Sequence, residues 1–234
     1  MTAADVKKVL QELATPEQAA AAMRFFKTGP GQYGEGDVFI GIKVPVLRKV
    51  AREFRGMPFE EAETLLQSPI HEERLLALLI LVDAAKKAKP AQFEAIHDLY
   101  LKNTRYVNNW DLVDTSAPAL VGAFLIDKPR KLLATLAKTA SLWERRIAII
   151  ATQHFIRNGE FDDTLKIAKQ LLKDGEDLIH KATGWMLREV GERDEAMLRA
   201  FLAEHAARMP RTMLRYAIEK FPPDIRRGYL AMKE

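Results

Sequence analysis

Residues 106–115 read Tyr-Val-Asn-Asn-Trp-Asp-Leu-Val-Asp-Thr, and their spacing predicts an amphipathic helix. Either Asn108 or Asn109 can begin this helix, because a short side-chain oxygen accepts a hydrogen bond from an unpaired N–H of the first turn. Trp110 and Asp114 are then four residues apart and share one face. The opposite face carries the apolar side chains that we expect to be buried: Leu112, Val113 and Ala117.

The exposed pair of this helix admits two interpretations. An aromatic ring beside a carboxylate, near the positive end of a helix, can hold a cationic group. Alternatively, Trp110 belongs to the core and Asp114 is a solvated surface charge. This stretch alone does not choose between the two interpretations, so the choice depends on the rest of the chain.

The remaining chain also has helical periodicity, and no segment alternates between apolar and polar residues as a strand would. Thr15-Pro16-Glu17-Gln18 predicts a helix start with Thr15 as its cap and proline in the first position. Ser68-Pro69 predicts the start of another helix, and its apolar residues 75–82 indicate that it lies between neighbours. Residues 90–102 and 141–157 are each predicted to form one helix.

The spacing of about a dozen predicted helices indicates a repeat architecture. Neighbouring helices form pairs of roughly 35–45 residues, which is the period of HEAT-type repeats. The predicted fold class is therefore all-α, a curved solenoid of HEAT-like antiparallel helix pairs that offers one concave face. Because the repeats show little similarity to one another, a compact bundle is the alternative. No linker marks a boundary, so residues 1–234 are predicted to form a single domain.

The composition excludes several classes of protein. The chain has 234 residues, 48% of them hydrophobic and 29% charged, and it contains no cysteine, so disulfides, thiolate zinc sites and cysteine nucleophiles are ruled out. No apolar run resembles a signal peptide or a membrane span, and a cytoplasmic location is the expectation. The net charge of +4 permits a polyanionic partner without requiring one.

Two further features of the sequence could indicate a cofactor or metal site, but neither has the spacing or context that such a site requires. The segment Gly29-x-Gly31-x-x-Gly34 has the letters of a dinucleotide-binding fingerprint, but a helix precedes it and acidic residues follow. We therefore interpret residues 29–37 as a turn-rich surface loop that binds no cofactor. The histidines are scattered without the spacing of a helical metal site, and no metal is expected: His71, His97, His154, His180 and His205.

Basic and aromatic residues recur together on several predicted helices. Lys181, Trp185 and Arg188 follow one another at i, i+4 and i+7, which places them in one stripe. Cations suit phosphates, and an aromatic ring suits a sugar or base. Phe25 and Lys27 are another aromatic and basic residue close together in the sequence. The plainer interpretation is an amphipathic helix whose long basic side chains pack over an aromatic ring.

Three segments together resemble the AlkD-type DNA alkylation repair glycosylases: Trp110-Asp-Leu-Val-Asp114, Trp143-Glu-Arg-Arg146 and Lys181-Ala-Thr-Gly-Trp-Met-Leu-Arg-Glu189. Their order and spacing agree with the family over nearly the whole chain. The segment Gly41-Ile-Lys-Val-Pro-Val-Leu-Arg48 also resembles sequences of the family. The resemblance implies a single HEAT-like domain that binds double-stranded DNA containing alkylated bases on its concave face. It implies excision of the cationic purines 3-methyladenine and 7-methylguanine, without base flipping and without a metal or other cofactor, by a monomer.

The resemblance also implies roles for individual residues. The catalytic Trp, Asp and Arg of the family correspond to Trp110, Asp114 and Arg146. Phe25 stands where the family often has tyrosine, so no role that needs a hydroxyl is carried over. The predicted DNA-binding residues are Trp185, Arg188, Phe25, Lys181, Lys27 and Arg48.

A mechanism follows from the chemistry of the substrate. A cationic purine leaves as a neutral base, so the protein needs only to stabilise the cation that develops on the sugar and to position a water. We assign both tasks to Asp114, with the two tryptophans near the sugar. A non-catalytic helical-repeat module that binds DNA or protein is the main alternative, and a scaffold with an acidic protein partner is the third.

Overall fold

A computed structural model describes residues 1–232, which form fifteen α-helices. In chain order the helices are α1 (Ala3–Leu13), α2 (Pro16–Phe25), α3 (Val44–Glu53), α4 (Phe59–Leu66), α5 (His71–Ala85), α6 (Pro90–Lys102), α7 (Trp110–Ala117), α8 (Lys131–Leu136), α9 (Leu142–Ala151), α10 (Gln153–Arg157), α11 (Asp162–Gln170), α12 (Asp177–Gly191), α13 (Glu195–His205), α14 (Arg211–Ala217) and α15 (Pro223–Ala231). Short 3₁₀ segments lie at Thr104–Tyr106, Leu171–Lys173 and Ala206–Arg208, and Pro118–Gly122 forms a π-helical turn.

The predicted all-α class is confirmed for residues 1–232. They contain no strand, and an isolated parallel bridge joins Val38 to Ile70. The chain divides into two compact units, Met1–Leu120 and Val121–Glu234. The single domain over residues 1–234 and the curved solenoid stay predictions from the sequence. None of the helices in residues 1–232 has the length and apolar character needed to cross a membrane.

Helix α5 forms the core of the first unit. It packs against α3, α4, α6 and α7, and residues 75–81 are all buried. The prediction that this apolar run lies between neighbouring helices is therefore confirmed. The first turn of α5 is also buried although it is polar, with His71, Glu72, Glu73 and Arg74 almost inaccessible to solvent. Buried charges must be paired, so the partners of these side chains determine what packs on this end of the helix.

Glu72 holds the segment before α3 against α5. Its carboxylate accepts backbone N–H groups of Ile40, Gly41 and Ile42, the shortest of these bonds being 2.8 Å from the Gly41 nitrogen. Gly41 has φ +84°, and a Cβ there would lie 2.2 Å from the carbonyl oxygen of Thr15. Only glycine therefore allows this close approach to the start of α2.

Helix α12 has the corresponding position in the second unit. It packs against α9, α11, α13 and α14. At Gly184 the backbones of α12 and α14 approach so closely that a Cβ would lie 2.4 Å from the Met213 carbonyl oxygen. The glycine in the Lys181–Trp185 segment thus brings two helices together, and it fixes the helix that carries Trp185 and Arg188.

Helix α2 begins at Pro16 with Thr15 as its N-cap residue, as predicted, although the Thr15 side chain makes no capping bond. Two other helix boundaries differ from the predictions. Helix α5 begins at His71, two residues later than predicted, since Ser68 Oγ accepts the Ile70 N–H and forms a turn. The predicted helix 141–157 divides into α9 and α10 at Thr152, whose hydroxyl donates to the Ile149 carbonyl at 2.6 Å. Such a bond competes with the helical backbone ladder.

Candidate functional site

Helix α7 carries the two central candidate residues on its partly exposed side. The Asn109 side chain caps the helix by accepting the Trp110 N–H at 2.8 Å, which confirms one of the two predicted caps. Trp110 and Asp114 are partly exposed. On the other side, Leu112, Val113 and Ala117 are fully buried, as predicted. The buried side fixes α7 in the first unit and leaves the tryptophan and the carboxylate within reach of a ligand.

Trp110 belongs to an aromatic stack. Its ring lies parallel to Phe26, with centroids 5.2 Å apart and 19° between the planes. Phe26 stacks on Phe39 at 4.9 Å, and Phe39 stacks on His71 at 4.3 Å. Phe25 meets Trp110 edge-on at 5.9 Å, yet 65% of its surface is exposed. The Trp110 ring therefore packs against Phe26 and remains partly exposed, and its contact with a cationic group stays a prediction.

A buried polar network lies behind this stack. The Nδ1 of His71 is 2.8 Å from Asp37 Oδ2, and its Nε2 is 2.8 Å from Asp111 Oδ2. Arg74 donates to Asp37 Oδ1 at 2.6 Å, and the Asn109 amide donates to Asp37 Oδ2 at 3.2 Å. The network therefore joins α5, the loop before Phe39 and the first turn of α7.

The network controls the protonation of its members. Burial alone would lower the pKa of His71, but the hydrogen bonds and charges of Asp111 and Asp37 raise it to about 9. His71 is consequently an imidazolium at neutral pH, and both of its N–H groups donate to carboxylates. Burial alone would raise the pKa of Asp37, but His71 and Arg74 outweigh burial and hold it below its usual value.

The glycine-rich loop supplies one of these carboxylates. Residues 29–36 form turns, as predicted, but Asp37 at the end of the loop is buried on His71 and Arg74. Our interpretation of Asp37 as part of a wholly surface loop was therefore wrong. The ring of His71 is hydrogen-bonded at both nitrogens, but the spacing of the histidines in the sequence does not predict its partners. The available signal was the sequence His71-Glu-Glu-Arg74 before an unbroken apolar run, because charges at the start of a buried helix need buried partners.

The other predicted residues of the first unit lie at its surface. Lys27 is exposed and lies just after the end of α2. Its φ of +54° is in the left-handed region. Arg48 is exposed on α3. It lines a polar groove of about 310 Å³ whose other charged residues are mostly cationic: Arg52, Arg55, Lys86 and Asp83.

Arg146 occupies a more enclosed position in the second unit. Ser141 caps α9 by accepting the Glu144 N–H at 3.3 Å, as predicted. Arg146 lies in the next turn with only 5% of its surface exposed, and its guanidinium donates to the Leu178 carbonyl at 2.6 Å. Arg146 therefore connects α9 to the start of α12.

Helix α12 presents the predicted Lys–Trp–Arg stripe, and all three side chains are partly exposed. Lys181 pairs with Asp177 at 2.8 Å. The indole N–H of Trp185 donates to Glu189 at 3.2 Å. Arg188 forms an ion pair with Glu219, which follows α14. Each side chain thus has an acidic neighbour within the second unit that a polyanion would have to displace or tolerate.

Comparison with known protein families identifies one family for this chain. The family model described as DNA alkylation repair enzyme matches residues 6–221. Among solved structures, the chain is similar to a predicted DNA alkylation repair enzyme from Enterococcus faecalis, with a TM-score of 0.72, 18% identity and coverage of 90% of this chain and 97% of that chain. It is also similar to smu.31 from Streptococcus mutans UA159, with a TM-score of 0.51, 16% identity and coverage of 94% and 98%. No curated protein matches the chain.

Proposed function

Because this chain belongs to the family of DNA alkylation repair enzymes, we propose that it excises cationic alkylated purines from double-stranded DNA. The family resemblance predicted from three sequence segments is confirmed by a family match over nearly the whole chain. The reaction proposed is hydrolysis of the N-glycosidic bond of 3-methyladenine and 7-methylguanine, without base flipping. That DNA lies on the concave face of one solenoid stays a prediction from the sequence.

The observation that carries this proposal is the arrangement of α7. The helix buries one side completely and keeps Trp110 and Asp114, one turn apart, partly open to solvent. A carboxylate next to an indole is suited to a positive charge, because each attracts a cation. Both residues lie in the first turns of the helix, and the aromatic stack fixes the indole in place.

The substrate supplies the rest of the chemistry. When the glycosidic bond breaks, its electron pair goes to the cationic purine, which leaves as a neutral base and needs no proton. The sugar becomes an oxocarbenium ion, which Asp114 stabilises as an ionised carboxylate. A water then adds to the sugar carbon, and its proton passes to Asp114. Trp110 contributes about 0.5–2 kcal/mol through a cation–π contact with the sugar.

Other residues would hold the DNA. The second tryptophan, Trp185, offers a partly exposed ring to a sugar. In this proposal Arg188 and Lys181 on α12 contact phosphates, as do Lys27 and Arg48 of the first unit, and the exposed ring of Phe25 also contacts the DNA. Phosphate contacts of this kind fix the register of a protein on DNA without reading the sequence. Arg146, which is buried on Leu178, would orient the start of α12 and offer its small exposed portion to the DNA.

The substitution Asp114→Asn tests the proposal. It keeps the size of the side chain and removes the charge, so we expect base release from methylated duplex DNA to fall by on the order of 10²–10³-fold with DNA affinity nearly unchanged. Asp98→Asn, which changes an exposed carboxylate on α6, is the matched control and should release bases at the wild-type rate. Full activity of Asp114→Asn would remove this residue from the mechanism.

The same assay addresses the binding-only alternative. A non-catalytic module would bind duplex DNA with the salt dependence typical of phosphate contacts and release no base in its wild-type form. A scaffold for an acidic protein would bind alkylated and unmodified duplexes equally and weakly.

A further inference from the structure

We propose that His71 is a positioning residue for the excision reaction, acting as a charged bridge that fixes the first turn of α7 and with it Trp110. This inference rests on the proposed function for its role in catalysis, whereas its structural part can be tested without any activity. His71 acts through its bond to Asp111, through Asp37 and Asn109, and through the aromatic stack.

The bridge links three parts of the first unit. His71 begins α5, the most buried helix of the unit, and only 2% of its side chain is exposed. One ring nitrogen bonds Asp37 and the other bonds Asp111, which directly follows Trp110. Asp37 in turn accepts the amide of Asn109, the cap of α7. The residues on both sides of Trp110 are therefore tied to one imidazole ring.

A second set of contacts ties the indole itself to the same ring. Trp110, Phe26, Phe39 and His71 form a continuous stack with centroid separations of 5.2, 4.9 and 4.3 Å. The imidazole ring therefore fixes Trp110 twice, once through hydrogen bonds to the backbone turn and once through ring packing. A change in the charge or shape of the ring reaches Trp110 by both routes.

Charge balance explains why the bridge must be protonated. Several titratable groups lie near His71. Glu72 and Arg74 are on its own helix, Asp37 is in the preceding loop and Asp111 is on α7. Lys43 lines an adjoining apolar cavity of about 300 Å³. Glu72 is occupied by backbone N–H groups. Protonated His71 and Arg74 then balance Asp37 and Asp111.

Deprotonation of His71 breaks this balance. A neutral ring has one N–H, so one of its nitrogens would direct a lone pair at a carboxylate 2.8 Å away. It would also leave one buried carboxylate without a compensating charge. We expect the first turn of α7 to shift in response, and a misplacement of about 1 Å at a reacting group can cost on the order of 10²-fold in rate.

The fluorescence of Trp110 tests the structural part of the proposal. Trp143→Phe and Trp185→Phe remove the other two tryptophans, and both lie in the second unit. In this background, Trp110 emission should change with a midpoint near pH 9, the pKa of His71. The change should be absent in His71→Gln. It should be retained in His205→Gln, which removes a buried histidine of the second unit.

Single-turnover base release tests the catalytic part. His71→Gln should lower the release rate at pH 7.5 by on the order of 10²-fold while the Kd for duplex DNA changes less than about threefold. In the wild type the release rate should fall above pH 9. Asp111→Asn removes one of the two carboxylates that raise the pKa of His71, so the alkaline fall should move to lower pH. This variant also serves if His71→Gln does not fold.

The outcomes separate this proposal from the proposed function. If the wild type releases no base, the proposed function fails, and the fluorescence titration alone decides whether His71 positions Trp110. If His71→Gln lowers rate and affinity by the same factor, or keeps the Trp110 transition, the positioning role is overturned. An alkaline fall that stays in place in Asp111→Asn would also overturn it.

Discussion

Raising the pH above neutrality should destabilise the first unit, because the His71 bridge loses its proton. The folded-state pKa is about 9 and the ordinary value is 6.5. A group whose pKa is raised by folding contributes its full stability below the unfolded value and loses it as the pH rises through the folded value. The stability that protonated His71 contributes is therefore complete below pH 6.5, falls across the window between pH 6.5 and 9, and is lost above pH 9.

The magnitude follows from the shift. Each pH unit across the window should remove about 1.4 kcal/mol from the free energy of unfolding, because the folded state holds one more proton than the unfolded state. Over the whole window the loss is about 3 kcal/mol. His154 and His205 have lowered pKa values, chiefly through burial, so their contributions change below pH 6.5 and leave this window unaffected.

Urea denaturation at a series of pH values measures this dependence. The emission of Trp110, in the background that lacks Trp143 and Trp185, follows the unit that contains His71. The free energy of unfolding should decline from pH 6.5 to 9 in this protein and be flat in His71→Gln. An equal decline in both proteins would refute the assignment of the proton to His71.

Two further predictions concern the second unit. Gly184→Ala should lower the free energy of unfolding by about 1–3 kcal/mol, because its Cβ would collide with the α14 backbone. Gly228→Ala, also helical but with no atom near the added Cβ, should instead be neutral or stabilise by up to about 1 kcal/mol; thermal unfolding compares the two, and equal effects would contradict the close-approach argument. Arg188→Ala should reduce the slope of log affinity for duplex DNA against log salt by about one, whereas Glu219→Gln, which frees Arg188 from its ion pair, should raise affinity. An unchanged salt slope in Arg188→Ala would argue against a phosphate contact.

The helices and the sides that they bury could be predicted from the sequence because these depend on local spacing. The segment around Trp110 shows this well: its cap, its buried side and its exposed pair all follow from a period of 3.6 residues. The start of α5 at His71 could not be predicted in the same way. There, the Ser68 side chain forms a turn before the helix, and the His71 N–H donates to the distant Val38 carbonyl at 2.8 Å.

The polar network was beyond a local interpretation for the same reason. Asp37, His71 and Asp111 are more than thirty residues apart from one another in sequence, and no periodicity relates them. Each of the three residues, taken alone, has the ordinary interpretation of a surface charge or an isolated histidine. Only the fold brings them together, although a charged first turn ahead of the apolar run 75–82 indicates that buried partners must exist.

The most direct test of the account is chromatographic analysis of the purines freed when the wild-type protein is incubated with methylated duplex DNA. We predict that 3-methyladenine and 7-methylguanine accumulate with time in proportion to protein concentration, and that an equal number of abasic sites appears in the DNA. Binding of the duplex without accumulation of either base above the protein-free blank would contradict the central claim.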